Sequence, residues 1–516
     1  MNIFRYETEK LCFVAEYDSF YPKIIVSLPP ESIRRKRMCI IIGREKEIEE
    51  LERRYRSNRP EFVAVYGRRR VGKTFLINEV MRDNMVFHHT GLSPYDRKRK
   101  VTLKDQLQNF YFSLIRHGME GNNPPKTWLE AFFMLEQLLE RRDNGTRQVV
   151  FIDELPWMDT PKSGFLTALE AFWNGWGNAR HNLCLVVCGS AASWMLDSLI
   201  NNKGGLYGRL TCEMHLAPFT LNECERFFES RGIKLSRYNI TQAYMILGGI
   251  PYYLDCFDPS LSLAQNIDRL FFNPKAKLGD EFDRLFSSVF DHAQACMEIV
   301  SVLSQRHAGY TREEIAEKTG INPNGDFTAL LKALIASDFV KKYVPYGASL
   351  REPHYKLTDC FCWFWLHFKE QSGIVETDYW EHHLKEQEIA SWRGIAFEEV
   401  CLQHVQQIKA ALQIAGVTST ESALVVKGKN ENNGMQTDLL IDRADDVVNV
   451  CEMKFNKTAI SIAKDYAEKL AERISTLAEA NPAKTFHLTL VSAAPLKTNK
   501  YSDIFTSKVT IDELFK

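Results

Sequence analysis

No apolar run in these 516 residues reaches the roughly 18 positions that a membrane-spanning helix needs, and the amino terminus lacks the apolar stretch of a secretory signal. The expectation is a cytoplasmic protein with no membrane partner. Net charge is missing too: 65 Lys and Arg oppose 66 Asp and Glu, so no global field draws the chain to nucleic acid, and any such contact must rest on a local patch. Cysteine pairs at metal or redox spacing are also absent. The nearest neighbours among twelve are Cys184 with Cys188 and Cys360 with Cys362, which reads as reduced, mostly buried thiols.

The chain is too long for one hydrophobic core, so about two to four domains are expected. Residues 1–37 sit apart as an N-terminal extension. Its basic run Arg34, Arg35, Lys36, Arg37 directly precedes Met38, which leaves Met1 and Met38 both open as the start.

An ordered pattern begins after that run. "EFVAVY" (61–66) is a short buried strand, "TFLINEVM" after it has helical spacing, and between them "GRRRVGKT" fits the phosphate-loop pattern G-x-x-x-x-G-K-[ST]. Gly67 and Gly72 permit the turn, and the backbone from Gly67 through Arg68, Arg69, Arg70, Val71 and Gly72 offers N–H groups to phosphate oxygens. Lys73 is placed to reach the terminal phosphates of ATP and Thr74 to ligate Mg²⁺. "RQVVFIDELPW" supplies a second buried strand that ends in Asp153, expected in the metal shell, and Glu154, expected to orient the attacking water. A third strand, "LCLVVCGS", ends at Ser190, where a hydroxyl is positioned to sense the γ phosphate or to serve structure alone.

With "IIGREKEIEELE" (41–52) ahead of that loop, and "GGLYGRLTCEMHLAPFT" and "YMILGGIPYYL" after it, the chain from Met38 resembles archaeal and bacterial P-loop ATPases related to the AAA+ and STAND groups. The resemblance implies that Gly43 and Arg44 flank the adenine or ribose and that Pro251 of a helical lid packs near adenine. It also implies that Arg209 is an arginine that neutralises γ-phosphate charge, a role in which a surface arginine is the alternative.

Residues 216–290 have the helical pattern of a lid. "TREEIAEKTG" opens with a capping box, Thr311 and Glu314, and stops at Gly320; the next helix and the pair "KKYVPYG" and "PHYKLTD" complete a winged-helix signature over 291–370. Its second helix offers only Lys332 against Asp326 and Asp338, which disfavours groove reading and favours a packing role, although Lys341, Lys342 and Tyr343 keep the wing in play. "FCWFWLHF" (361–368) and "FWNGWGN" (172–178) read as core. Residues 371–390 are expected to be a linker.

The last stretch, 391–516, holds "QTDLLIDRADDVVNVCEMKF", two strands around a polar turn. A hairpin centred near Asp445 sets Asp438 opposite Glu452 and puts Asp438, Glu452 and Lys454 on one face. Opposed carboxylates need a neutralising cation, so the pattern matches PD-(D/E)xK nucleases: Asp438 and Glu452 on a metal, Lys454 at the nucleophile. The preceding helix has Phe397, Cys401, Val405, Ile408 and Leu412 on one stripe, with Glu398 at its margin as a fourth site member and Glu399 pointing away. Gln436 and Lys464 are weaker neighbours. The stretch carries 15 basic against 16 acidic residues, unlike a DNA groove. The family it resembles has many members that end in a nuclease-like domain.

The expected fold is α/β: a P-loop parallel-sheet core (38–215), a helical lid, a winged helix and a C-terminal restriction-endonuclease-like domain. ATP and Mg²⁺ are the expected cofactors. Two functions are carried forward: an ATP-gated enzyme acting on DNA, and a nucleotide-dependent switch whose silent nuclease-like domain binds a protein partner. A homo-oligomer, or a subunit ring supplying an arginine, is open to both, as is any role for the basic loop Arg97 to Lys100.

Overall fold

The computed structural model describes residues 41–94, 99–121, 123–349, 351–370, 378–426 and 435–516, and the backbone of two strands near the amino terminus. Those two, β1 (Phe13–Glu16) and β2 (Lys23–Val26), pair antiparallel. The core sheet is built from β3 (Glu61–Tyr66), β4 (Met85–Thr90), β5 (Gln148–Asp153), β6 (Leu183–Gly189) and β7 (Cys212–His215). All are parallel, in the order β4-β5-β6-β3-β7.

Period-two alternation gives each central strand two buried faces, which is why β5 and β6 read as continuous apolar runs. Phe62, Ala64, Val150, Ile152, Leu185 and Val187 pack against helices Leu103–Arg116, Trp128–Arg141 and Phe165–Gly175. Phe172 and Trp173 of the aromatic stretch belong to this core. The alternate residues Val63, Val65, Val149, Phe151 and Val186 face helix Lys73–Met81 and a second core that continues through the lid to one face of the last sheet, whose other face forms a third core with Leu470 and Leu477.

The lid follows β7: helices Leu221–Ser230, Arg237–Leu247, Pro251–Leu254 and Glu281–Val289, with shorter turns between. Next come β8 (Tyr310–Thr311), helix Arg312–Thr319, helix Gly325–Ala336, β9 (Val340–Tyr343) and β10 (His354–Leu357), in a small sheet of order β8-β10-β9. The capping box forms, Thr311 Oγ1 accepting from Glu314 N at 3.2 Å and Glu314 accepting from Thr311 N at 2.7 Å. Phe361, Phe364 and Phe368 are buried as expected of core.

Residues 378–390 are not a linker. Trp380 and Ile389 are buried, and Asp268 of the lid accepts from Trp380 N at 2.7 Å and Glu381 N at 3.0 Å. A single tryptophan in a polar stretch recruits the chain into the core, because its large apolar area outweighs the polar neighbours.

The last unit is helix Gln387–Gln403, helix Val405–Ala411, then β11 (Ser419–Val426), β12 (Met435–Arg443) and β13 (Val447–Lys454), helix Lys464–Ala480, β14 (Thr485–Ser492) and β15 (Ser507–Thr510). The sheet runs β11-β12-β13-β14-β15, antiparallel up to β13 and parallel beyond it. Its final turn docks back on the lid, where Asn222 Nδ2 donates to Phe515 O at 2.8 Å. Among the described residues no helix is long and apolar enough to cross a membrane.

One contact makes this junction acid-sensitive. His404 is 1% exposed; its Nδ1 donates to Val400 O at 2.7 Å and its Nε2 accepts from Leu221 N of the lid at 3.0 Å. Burial pulls its pKa down from 6.5 to about 4. The unfolded chain therefore takes up this proton first as pH falls, so the stabilisation is fully present above pH 6.5 and is lost on descent towards pH 4. Thermal denaturation from pH 7 to 4.5 is expected to show a fall that His404→Gln, which keeps a ring-sized polar group without a titrating one, reduces.

Candidate nucleotide site

The phosphate loop leaves the carboxyl end of β3 through Gly67, whose φ of +141° and position allow no side chain: a Cβ there would lie 2.4 Å from Leu216 O. Gly72, at φ +95°, begins helix Lys73–Met81. Lys73 is 6% exposed, and its ammonium donates to Gly67 O at 2.9 Å and Arg68 O at 3.1 Å. Two of its three N–H groups are thus fixed by the loop and one remains for a phosphate oxygen. Burial holds its pKa below the usual lysine range against the opposing pull of Glu154.

Helix and sheet meet where Thr74 Oγ1 donates to Asp153 Oδ2 at 3.0 Å. The other oxygen, Oδ1, accepts from Cys188 Sγ at 2.6 Å. Burial, with Asp153 adding to it, pushes the Cys188 thiol far up, so it stays protonated and donates. Glu154 sits in the left-handed region at φ 49°, and its carboxylate accepts from Ser190 N at 3.0 Å and Ser190 Oγ at 2.8 Å. Ser190 therefore holds Glu154 instead of presenting its hydroxyl to the nucleotide side. Cys188 was missed by sequence reasoning; its place on the strand beside β5, two residues before Ser190, was the available signal.

These groups open onto a cavity of about 390 Å³ lined by Arg69 to Leu76, Glu154, Ile41, Ile42, Arg44 and the lid residues Phe219, Phe227, Arg231, Pro251, Tyr252 and Asp255. Arg44 is 6% exposed, donates from Nη2 to Ala217 O at 2.6 Å and lies over the Phe219 ring at 4.9 Å. Gly43, at φ +65°, admits Glu223, which a Cβ would meet at 2.2 Å.

Two arginine side chains of the loop have distant partners, and the expected role of Arg209 changes. Arg68 turns its side chain away from the cavity, to an ion pair with Asp359, Nε to Oδ2 2.6 Å. Arg70 reaches Glu281, Nη2 to Oε2 2.7 Å, over the Tyr252 ring at 4.0 Å. Arg209 is exposed and lies ahead of β7, where Thr211 N bonds Phe62 O at 2.8 Å. That is the amino edge of the parallel sheet, the end opposite the phosphate loop, so Arg209 does not reach the cavity of its own chain.

The C-terminal constellation is only partly assembled. Pairing of β12 with β13 runs from Leu439–Cys451 to Asp442–Val448, the register expected of a turn centred near Asp445. Asp438 lies on β12 with its side chain outside the described residues, as does Gln436. Glu452 and Lys454 share a face, Nζ to Oε1 2.8 Å, but that face packs on helix Lys464–Ala480: Tyr466 donates to Glu452, and Arg473 Nη1 donates to Glu452 Oε2 at 3.1 Å. Burial and the Glu452 carboxylate push the Tyr466 hydroxyl up to about 12. Lys464 instead pairs with Glu468 at 3.6 Å.

Glu398 does not join them. Its helix packs through Phe397 and Cys401 on the opposite sheet face, with Cys451 and Met453. Glu398 Oε2 lies 3.4 Å from His307 Nδ1, and Glu399, expected to point away, is 5% exposed with Oε2 2.7 Å from Lys356 Nζ. Among the described residues no three His, Cys, Asp or Glu side chains converge as a metal-ligand cluster. Of the basic loop, Arg97 lies outside the described residues, and Arg99 folds onto Asp105 at 2.8 Å.

A lysine buried under a glycine turn, at the carboxyl edge of a parallel sheet and beneath a helical lid, is the arrangement that grips a nucleoside triphosphate tail. The protein is an ATP-binding P-loop ATPase. Residues 41–257 match the model of a family described as an ATPase domain predominantly from Archaea. The chain is 23% identical over 376 residues to the uncharacterized protein MJECL04 of Methanocaldococcus jannaschii, covering 72% of this chain and 78% of that one. It is 38% identical over 49 residues to the uncharacterized ATP-binding protein MJ0423 of the same organism, 10% of this chain and 83% of that one. Among solved structures it is similar to a Walker-type ATPase of Pyrococcus abyssi, at a TM-score of 0.44 and 18% identity, covering 64% of this chain and 96% of the other.

Proposed function

We propose that the protein is a nucleotide-dependent switch, in which ATP binding and hydrolysis set the arrangement of the lid and the two units that follow it. The observation that carries this reading is the composition of the cavity: the phosphate loop forms one wall, and Phe219, Phe227, Arg231, Pro251, Tyr252 and Asp255 of the lid form the other. A ligand that touches both walls has a different affinity for each arrangement of them, which is the condition for shifting an equilibrium.

In this reading Lys73 and the loop N–H groups bind the phosphates, Arg44 and Pro251 border the base, and Glu154, fixed by Ser190, takes the proton of the attacking water. Thr74 and Asp153, whose oxygens already lie 3.0 Å apart, suit Mg²⁺ as hard oxygen donors. When bound, the ion would neutralise charge between the β and γ phosphates. We assign 310–357 as a winged helix used for packing: His215 Nε2 at the end of β7 bonds Asp338 Oδ2 at 2.8 Å, tying the turn after its second helix to the ATPase sheet.

A second reading, a metal-dependent nuclease acting on DNA, is favoured by three strands, a helix and two further strands following the helices after Gln387, and by Glu452 and Lys454 on one sheet face. Against it, Arg473, Tyr466 and Lys454 already satisfy Glu452, as protein cations and donors do in a silent site. The test is ATP turnover and cleavage of labelled DNA by the full chain in Mg²⁺ or Mn²⁺, beside Lys73→Ala and Glu452→Ala. Turnover that Lys73→Ala abolishes, with DNA left intact throughout, is expected. Cleavage lost in Glu452→Ala would replace the switch with the nuclease.

A further inference from the structure

Arg68 occupies a position that the phosphate-loop pattern leaves arbitrary, yet its side chain is 1% exposed. The guanidinium lies between the rings of Tyr253, at 5.6 Å, and Phe339, at 5.2 Å, with Nε 2.6 Å from Asp359 Oδ2. The second oxygen of Asp359 accepts from Cys362 N at 2.8 Å and so caps helix Cys360–Trp365. From that helix a run of packed rings leads onward. Phe364 stands 5.4 Å from Trp392 and Phe368 5.3 Å from it, and Trp392 lies on helix Gln387–Gln403, the first element of the C-terminal unit.

The other end of the same residue touches the chemistry, since the Arg68 carbonyl accepts from the Lys73 ammonium at 3.1 Å. One residue therefore holds the phosphate-binding lysine with its backbone and a downstream helix cap with its side chain. A buried ion pair is a poor device for stability alone, because apolar residues of similar volume serve as well without desolvating two charges. What a buried pair can supply is geometric specificity, since displacing the loop would break the contact of Arg68 Nε with Asp359.

We propose that Arg68 is a positioning residue of the ATP site, and that the Arg68–Asp359 pair is the link through which helix Cys360–Trp365, and with it the C-terminal unit, reads occupation of the phosphate loop. This rests on the switch reading above. Arg70 and Glu281 form a separate tie to the lid. By reciprocity, whatever affinity ATP lends the paired arrangement, breaking the pair removes from ATP binding.

The test is hydrogen exchange of the full chain with and without a non-hydrolysable ATP analogue and Mg²⁺, together with the analogue's Kd, for the parent protein, Asp359→Asn and the double variant Arg68→Met, Asp359→Leu. Asparagine keeps the helix-capping oxygen and loses the charge; the double variant keeps the volume and loses both charges. In the parent the analogue is expected to slow exchange in 360–368. Both variants are expected to lose that response and to bind the analogue about 10-fold more weakly, inside the usual range of coupling between sites, whereas Arg68→Lys keeps most of both. A folded double variant that binds and protects like the parent would overturn the proposal and leave the pair a packing feature. If Asp359→Asn does not fold, the double variant decides alone, and if neither folds, the pair is structural and the proposal fails. If the parent itself binds the analogue with no change beyond residue 290, the switch reading fails, whatever Arg68 does.

Discussion

Replacing Glu154 by glutamine is expected to lower ATP turnover by about 10²- to 10⁴-fold, the usual worth of a positioned general base, while ATP affinity stays within a few fold. The split follows from geometry. In the reading proposed above Lys73, Thr74 and the loop amides carry the binding, whereas the hydrogen bonds of the Glu154 carboxylate go to the N–H and hydroxyl of Ser190, at 3.0 and 2.8 Å. Glutamine preserves the shape and accepts one of those bonds with its carbonyl, but it cannot take a proton from water. The left-handed backbone at Glu154, φ 49°, is strained for a non-glycine residue, and strain of that kind persists only where the surroundings over-determine it. Single-turnover hydrolysis beside equilibrium binding of labelled ATP separates the two quantities. Loss of binding in parallel with turnover would show that Glu154 supports the loop and is not the base. Ser190→Ala is the companion: it frees the carboxylate to rotate, so it should slow turnover by less than Glu154→Gln and leave binding unchanged.

The parts of this site that were legible in the sequence are those whose geometry is local. Gly67 to Thr74 is contiguous, and its strand and helix flanks identify it without knowledge of the rest. The β12–β13 register was also within reach, because a short polar turn fixes which residues face each other. What was not legible depends on elements far apart in the chain. Arg209 was expected at the γ phosphate, but only the parallel pairing of β7 with β3 reveals that it lies at the wrong end of the sheet. Glu398 illustrates a subtler limit. The expected residues Phe397, Cys401, Val405 and Ile408 are buried, although the helix breaks at His404 and the last two lie on a second helix, Val405–Ala411; periodicity says which face is apolar and not which side of the sheet receives it. Arg68 had no signal at all, since its partner is separated from it by the whole lid.

The pair formed by Glu399 and Lys356 carries the largest expected effect on stability. Glu399 comes from helix Gln387–Gln403 and Lys356 from β10; they are 5% and 6% exposed, 2.7 Å apart. His307 adds a second contact at 3.8 Å from the same carboxylate oxygen. Burial pushes the Glu399 carboxyl up, but Lys356 and His307 outweigh it and hold the group below the usual 4.5. Its stabilisation is therefore fully present above pH 4.5 and is lost as pH falls below that through the lowered folded value. Glu399→Leu leaves the Lys356 charge buried without a counter-ion, which costs about 3–5 kcal/mol. Adding Lys356→Met removes the stranded charge as well, and the double variant is expected to recover most of the loss, since two apolar side chains of similar volume replace an ion pair that had to be desolvated. A double-variant cycle in urea, followed by proteolysis at the junction so that only this interface is read, measures the coupling. A single variant within about 0.5 kcal/mol of the parent, the range of ordinary surface changes, would show that the pair is solvated in solution and that the two units are not held together here.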